Sequence, residues 1–491
     1  MIKEQKINGR ENERDEPRKN NITLFFRNFG CKTNFSDIFS IIGKLKDSFN
    51  FKVESFDSAQ VVLLNSCSVT EDAERELVKW IRKAKRYGKK VVVTGCLPNL
   101  NYSKVINSGA DVAIGTGKYS QENLISAFSK LFNEYDREKS TQKYSGKQNQ
   151  DQNSEKYSDL YLAKISDISY DIEEDLYFFS FDLFPRHRVY LKIQEGCSRF
   201  CTFCSIPITR GLPRFVSPEK VIEKLKELQD SGVKEVVLVG THLALYGKNG
   251  KVSENSKSSG KENISLGTLA QKIAKEISGI RIRFASLSPG EIDEDFLSAI
   301  EIGRKIFCPH FHISVQSGSN KILKLMRRWH TFEDFINDSE KLLKIFPYAS
   351  VGTDIIVGFP GETEKDFLET YNNLKSAKIG YIHVFPFSPR PRTPAYFMKG
   401  LPKSEIKSRV EILLSLSYEK KFKFYNSCVG QSFELLVEEQ KGNTFEGTTE
   451  NYLTIVLEKT SSKVNCGDII KVKLKCVQEK DGKIYGLGET I

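Results

Sequence analysis

EGCSRFCTFCSIPITRG, residues 195–211, decides the fold. It sets Cys197, Cys201 and Cys204 in one short loop, directly after the apolar, strand-like run RVYLKIQ (188–194). A loop this short can aim its three thiols only at a common centre. Three thiolates match a cubane iron–sulfur cluster with one iron lacking a protein ligand, and such an open position lets a metal engage a small molecule. Structural zinc prefers four ligands. The loop holds no fourth Cys or His, and His187 lies ten residues before Cys197, across the strand. Zinc and a chance cluster are the alternatives on these residues alone.

Downstream, strand-like stretches recur as EVVLVG (235–240), IRFASLS (282–288), FHISVQS (311–317), VGTDIIVG (351–358) and YIHVFPFS (381–388). Helical sequence such as PEKVIEKLKELQDSG (218–232) and EKDFLETYNNLKSAKI (364–379) separates them. Six strands alternating with helices predict a β/α barrel of TIM type, complete or partial, over 184–426. A polar insertion, 247–265, interrupts it.

Upstream, over 22–134, three more β-rich runs end at a cysteine: ITLFFRNFG before Cys31, VVLLNS before Cys67 and VVVTG before Cys96. Alternation with helical sequence predicts a doubly wound, flavodoxin-like parallel sheet. In that architecture the carboxyl ends of the strands open on one crevice, so three cysteines remote in sequence converge. Residues 1–21 read as a frayed tail, 135–183 as a polar linker with little to bury, and 427–491 as a small β-barrel.

The net charge of +11 favours a polyanionic partner, and is equally consistent with a basic surface kept for solubility. No run reaches the ~18 apolar residues of a spanning helix, and MIKEQKINGRENERDEPRKN has no apolar segment of a secretory signal. The expected compartment is the cytoplasm, where thiols stay reduced and free to ligate metal.

Cys197, Cys201 and Cys204 after the first barrel strand resemble the signature of the radical S-adenosylmethionine (SAM) superfamily. The resemblance implies that the open iron chelates the amine and carboxylate of SAM, whose reductive cleavage yields a deoxyadenosyl radical. Phe203 resembles the family's aromatic near the adenine; its alternative is a packing role. FGCKTN (29–34), NSCSVTEDAERE (65–76) and VTGCLP (93–98) are similar to the three ligand loops of the methylthiotransferases. By that resemblance Cys31, Cys67 and Cys96 hold a second [4Fe–4S] cluster, which carries the sulfur to be inserted. GCK-x-N and CPH-x-H before QSGS resemble most the subgroup acting on threonylcarbamoyl-adenosine beside the anticodon of transfer RNA. The isopentenyl-adenosine subgroup more usually has GCQMN at the first motif, and the ribosomal-protein subgroup GCPKN.

The resemblance thus implies two [4Fe–4S] clusters, SAM as radical source and methyl donor, a transfer-RNA anticodon loop, a reductant protein and a sulfur donor. A monomer is expected. Gly240, Gln316 and Asp354 are barrel-mouth positions by spacing, with turn formation as the alternative role. Between Glu74 and Lys90 eight basic residues face two acidic ones. Arg82 and Arg86 there, with Arg210 and Arg214 beside the radical motif, are candidate RNA contacts; a solvated face is the alternative. The C-terminal barrel resembles the TRAM module, although its eight Lys against ten Asp and Glu leave it acidic. His242, His310, His312, His330 and His383 are read as core or barrel-lining residues. Trp329 and His330 replace the Arg and Tyr frequent in the family, which questions a substrate contact there. Competing functions are methylthiolation of isopentenyl-adenosine or of a ribosomal-protein side chain. From other classes they are an iron–sulfur scaffold without radical chemistry and a zinc-dependent RNA-binding module.

Overall fold

Val61–Ser66 and Lys90–Gly95 are buried almost end to end, as strands covered on both faces must be. They form the centre of a five-stranded parallel sheet of order Phe49–Val53, Asn20–Asn28, Val61–Ser66, Lys90–Gly95, Val112–Ala113. In chain order this is 2-1-3-4-5, the flavodoxin-like arrangement, whose crevice opens where the order reverses between the first and third strands. The computed structural model describes residues 20–46, 48–132, 172–179, 187–248, 251–252, 264–458 and 464–491.

Helix Glu71–Arg86 follows from its ends. The Thr70 side chain accepts from the Ala73 amide at 3.3 Å, Glu71, Asp72 and Glu74 fill the first turn, and Lys83, Lys85 and Arg86 fill the last. Each sign suits the helix dipole. Part of the basic run between Glu74 and Lys90 is therefore helix-end chemistry.

The barrel keeps the six expected runs, the third broken at Ala285 into Arg281–Phe284 and Ser286–Leu287. Arg188–Glu195, Glu235–Gly240 and Arg281–Phe284 pair in parallel. A bridge from Ile282 to Phe307 leads on to Ser286–Leu287, His310–Ile313, Ser350–Val357 and Tyr381–Pro386, again parallel. The barrel is partial: the first strand does not pair with the last. Helix Lys32–Leu45 of the N-terminal sheet packs on that first strand. Phe35 meets Tyr190 edge-on at 5.5 Å, and the Lys192 amide donates to Ser36 Oγ at 3.2 Å. One apolar core runs through both regions, from Ile22, Leu24 and Ile38 to Leu191, Leu238 and Ile313.

Residues 428–491 contain a closed five-stranded barrel with its own core of Phe433, Leu435, Val437, Ile455 and Leu474. Helix Lys403–Ser427 leads into it.

The reading of 135–183 as a linker needs correction at its end. Ile172–Tyr177 is a helix with Ile172, Asp175 and Leu176 buried. Asp175 binds Lys44 at 2.7 Å and Lys192 at 2.6 Å, so charge partners from both neighbouring regions bury a segment whose composition looked unable to fold. The tail through residue 19, residues 133–171 and 180–186, and most of the insertion 247–265 lie outside the described residues.

Candidate active site

Cys31, Cys67 and Cys96 follow three adjacent strands at their carboxyl ends. Asn34, in the first turn of helix Lys32–Leu45, draws their loops together. Its Oδ1 accepts from Cys31 Sγ at 3.2 Å and lies 4.0 Å from Cys96 Sγ, while its amide donates to Asn65 Oδ1 at 3.0 Å and Ser66 O at 3.1 Å. Gly95, at φ +95°, turns the chain into Cys96, and a side chain there would strike the Ser66 carbonyl. Arg210 donates from Nε to Cys96 Sγ at 3.3 Å and pairs with Asp37 at 2.8 Å and with Glu195. Burial, reinforced by Cys96, pushes the Cys67 thiol up to about 12; burial also raises Cys96 against the pull of Arg210.

The second trio starts at Gly196, whose φ of +80° brings the backbone against the Leu212 carbonyl where no side chain fits. Cys197 Sγ lies 3.5 Å from His242 Nδ1, and Arg328 donates to Cys201 Sγ at 3.5 Å and to the Ser314 carbonyl at 2.9 Å. Trp329 stacks on His242 with ring centres 5.2 Å apart and carries the Arg199 and Arg328 guanidinium groups at 4.3 and 4.2 Å. Glu291 receives both His242 and Arg199. Burial pushes Cys197 up to about 11 and Cys204 higher still, the latter also through Cys201.

These donor sets fit iron–sulfur clusters. A buried thiol resists ionisation until a cation takes up its charge, and metal binding supplies that cation. Each trio also has one guanidinium within 3.5 Å of a cysteine sulfur, Arg210 at Cys96 and Arg328 at Cys201.

The two trios are neighbours. Ser68, after Cys67, hydrogen-bonds Ser205, after Cys204, at 3.1 Å between hydroxyl oxygens. Cys31, Cys197, Cys201 and Cys204 line one cavity of about 790 Å³. Phe203, Gly240, Gln316 and Asp354 line the same cavity, so the structure brings these four expected positions together with the cysteines. Phe203 also packs edge-on against Phe359 at 6.4 Å. Gln316 takes a φ of +80°, and its amide donates to the Asp354 carbonyl at 2.9 Å. Burial works against ionised Asp354, but His312 at 2.9 Å and His383 at 3.3 Å outweigh it and hold the carboxyl well below the usual range. Those three side chains are close enough to share one ion, yet they already satisfy one another, and His312 Nδ1 also meets Tyr381 Oη at 3.1 Å.

The family description "Radical SAM superfamily" matches residues 191–374, and "Uncharacterized protein family UPF0004" matches 23–117. The chain is 33% identical to the threonylcarbamoyladenosine tRNA methylthiotransferase MtaB of Bacillus subtilis, over 96% of each protein. It is 36% identical to the MtaB of Aquifex aeolicus, over 88% of this chain and 96% of that protein. The chain belongs to the radical SAM methylthiotransferase family. A tRNA-2-methylthio-N(6)-dimethylallyladenosine synthase of Koribacter versatilis is 28% identical over 88% of the chain and 91% of that protein. Among solved structures, the radical SAM methyltransferase TsrM of Kitasatospora setae, with tryptophan and a SAM analogue bound, superposes with a TM-score of 0.51 at 12% identity. The match covers 86% of this chain and 79% of that one. At that identity the likeness is one of fold.

Within this methylthiotransferase Arg210 cannot meet RNA. It is wholly buried and bound to Asp37, Glu195 and Cys96, so its place beside the cysteine loop reflects an internal charge role. Arg214 is half-buried and donates to the carbonyls of Arg210 at 3.2 Å and Leu212 at 3.4 Å. Arg82 and Arg86 are exposed on helix Glu71–Arg86. The changes at Trp329 and His330 are explained locally: His330 accepts from Arg328 Nε at 3.0 Å, and Trp329 covers His242. Glu291 and Arg328 were not singled out from sequence, His242 was read only as a core or barrel-lining residue, and Asn34 only as the last position of GCK-x-N. Of these, His242 had a further usable signal, two residues beyond the strand end at Gly240. No helix among the described residues is long and apolar enough to cross a membrane.

Proposed function

We propose that this enzyme converts N6-threonylcarbamoyladenosine, 3′ of the anticodon in transfer RNA, into its 2-methylthio derivative. The supporting observation is a cavity lined by Cys31 of one trio and by Cys197, Cys201 and Cys204 of the other, in a chain most of whose length aligns with methylthiotransferases named for that nucleoside. Cys197, Cys201 and Cys204 would hold one [4Fe–4S] cluster and Cys31, Cys67 and Cys96 the other. When bound, the first would supply the electron that cleaves one SAM to the radical accepting the hydrogen of adenine carbon 2, the second would supply the sulfur, and a further SAM the methyl group.

The chain's own part is placement. Asn34 and Arg210 fix the geometry and charge of the first trio, and Arg328 and His242 those of the second. The cavity accepts an adenine swung out of a loop, where unstacking costs little. Arg82 and Arg86 are placed to follow phosphates. The small C-terminal barrel is read as TRAM-like, gripping RNA by shape and stacking rather than charge. Regions 20–132, 187–427 and 428–491 form the three parts, with 172–179 joining the first two. A monomer in the cytoplasm, served by a separate reductant and a sulfur donor, completes the reading.

Nucleoside mass spectrometry of transfer RNA from cells with and without the gene tests it. Loss of the methylthio-threonylcarbamoyladenosine peak, with accumulation of the unthiolated nucleoside, is expected. An unchanged peak refutes it.

A further inference from the structure

Two buried charge groups in this molecule differ in balance. Beside the first cysteine trio, Lys44, Lys192 and Arg210 face Asp37, Asp175 and Glu195, three cations against three carboxylates, all almost wholly buried. Behind Tyr452, a lining residue of the cavity, Arg188, Arg281 and Arg283 converge on the buried carboxylate of Glu235, at 2.6, 2.7 and 2.9 Å, with the Arg188 and Arg283 guanidinium groups 6.0 and 4.9 Å from the Tyr452 ring centre. Two further acids stand nearby: Glu438, more exposed, pairs with Arg188 at 2.8 Å, and Glu450 feels the charge of Arg281 while burial keeps its carboxyl raised. Arg281 and Arg283 each also donate from Nη1 to a backbone carbonyl of the C-terminal barrel, of Glu434 and Glu450 respectively, both at 2.9 Å.

Lys32 adds a fourth positive charge. It adjoins Cys31 and lines the cavity, and it has no hydrogen-bond or ion-pair partner among the described residues. Its ammonium lies 5.9 Å from the centre of the Tyr452 ring. Tyr452 stacks on His310 at 4.2 Å, and the buried Nδ1 of His310 has no partner. Asp354, the acid lining this cavity, is taken by His312, His383 and Ser314. The wall around Tyr452 therefore carries four cations, and Arg188 Nη2, Arg281 Nε and His310 Nδ1 are buried there without a partner among the described residues. Uncompensated buried charge is costly, so such a place suits an anion brought in from outside.

The reading of the substrate given above supplies one, and the inference rests on it. The adenine must turn carbon 2 toward the cysteines, so the group on N6 extends away from them into the rest of the cavity. In threonylcarbamoyladenosine that group ends in a carboxylate; in dimethylallyl-adenosine it ends in hydrocarbon. We infer that Lys32 is the residue that selects the substrate, receiving the carboxylate of the threonylcarbamoyl group beside Tyr452 and His310.

The test uses the full chain with both clusters reconstituted and two anticodon stem-loop RNAs. One carries threonylcarbamoyladenosine and the other its carboxamide analogue, neutral but the same size. A charge-assisted hydrogen bond predicts that the wild-type enzyme prefers the carboxylate about 10- to 100-fold in kcat/KM. Lys32→Gln should bring the two RNAs within about threefold of each other, mainly by raising KM for the carboxylate, and Lys32→Arg should keep the preference. Three results overturn the inference: a wild-type enzyme indifferent to the carboxylate, a Lys32→Gln variant that keeps the full preference, or one that loses activity equally on both RNAs. The last would mean that Lys32 serves Cys31 or the fold. A wild-type enzyme inactive on both RNAs yet active on one carrying dimethylallyl-adenosine overturns the substrate reading itself, and this inference with it.

Discussion

Arg210 is fully enclosed, and a neutral residue in its place would leave Asp37 and Glu195 buried without their guanidinium. Breaking a buried pair from one side costs about 3–5 kcal/mol. Arg210→Ala should therefore lower the unfolding free energy by that amount in denaturant titration, and Cys96 Sγ should lose the guanidinium 3.3 Å away. A variant as stable as wild type would disprove the buried network. The same residue shows where reading single residues stops. Cys197, Cys201 and Cys204 were legible because thiols of this spacing have few other uses, whereas Cys31, Cys67 and Cys96 were picked out by their places after strand ends and by resemblance to the ligand loops. Arg210 was misjudged because a cation beside a cysteine loop looks the same whether it faces solvent or three buried partners. Arg328 was invisible for a related reason: it acts on a sulfur supplied by another segment, Cys201, at 3.5 Å.

At the scale of elements, Lys192 joins three of them. From the first barrel strand it reaches Asp37 on helix Lys32–Leu45 at 2.6 Å, Asp175 on helix Ile172–Tyr177 at 2.6 Å and Glu195 at 3.1 Å. Burial alone would raise both Asp175 and Glu195. Lys192 reverses it for each, helped by Lys44 at Asp175 and by Arg210 at Glu195, holding Asp175 well below the carboxylate range and bringing Glu195 down to about 2. Carboxyls depressed in the folded state add stability that is complete above their unfolded value near 4 and disappears as pH falls toward 2. The melting temperature should drop steeply between about pH 5 and pH 2, and Lys192→Met should flatten that slope while lowering stability at neutral pH. A slope unaffected by the substitution would assign acid sensitivity elsewhere. The barrel strands were legible because apolar β-rich runs recur between amphipathic helices. Strands of two residues, such as Val112–Ala113 and Arg214–Phe215, were not, since pairing alone defines them. Helix Ile172–Tyr177 escaped because what buries it lies more than a hundred residues away at Lys44.

Across the whole molecule, the C-terminal barrel is seated on the larger one by polar contacts. The Glu450 carbonyl accepts from Arg283 at 2.9 Å, and its carboxyl accepts the Glu434 amide at 2.7 Å. Burial, aided by the charge of Glu434, lifts the Glu450 carboxyl to about 7 against the pull of Arg281. An acid raised on folding binds its proton in the native state, so the stabilisation is present at low pH and declines as pH rises from about 4.5 to 7. Glu450→Gln should match the wild type near pH 4.5 and exceed it by at most about 3 kcal/mol at pH 8, as read by denaturation at both values. An equal difference at the two pH values would refute the shift. The barrel was legible from its alternating strands, whereas its seating was not: that depends on Arg281 and Arg283 meeting carbonyls some 150 residues further on.

Helix Lys32–Leu45 begins in one parallel sheet and ends up as a wall of the other region's chamber. With Lys32 as the inferred selector, specificity is borrowed across a junction rather than housed where SAM is cleaved. A chimera that grafts residues 20–132 of a dimethylallyl-adenosine relative onto this barrel should inherit the donor's preference. Directed evolution toward new nucleosides would do best to begin in that transplanted piece.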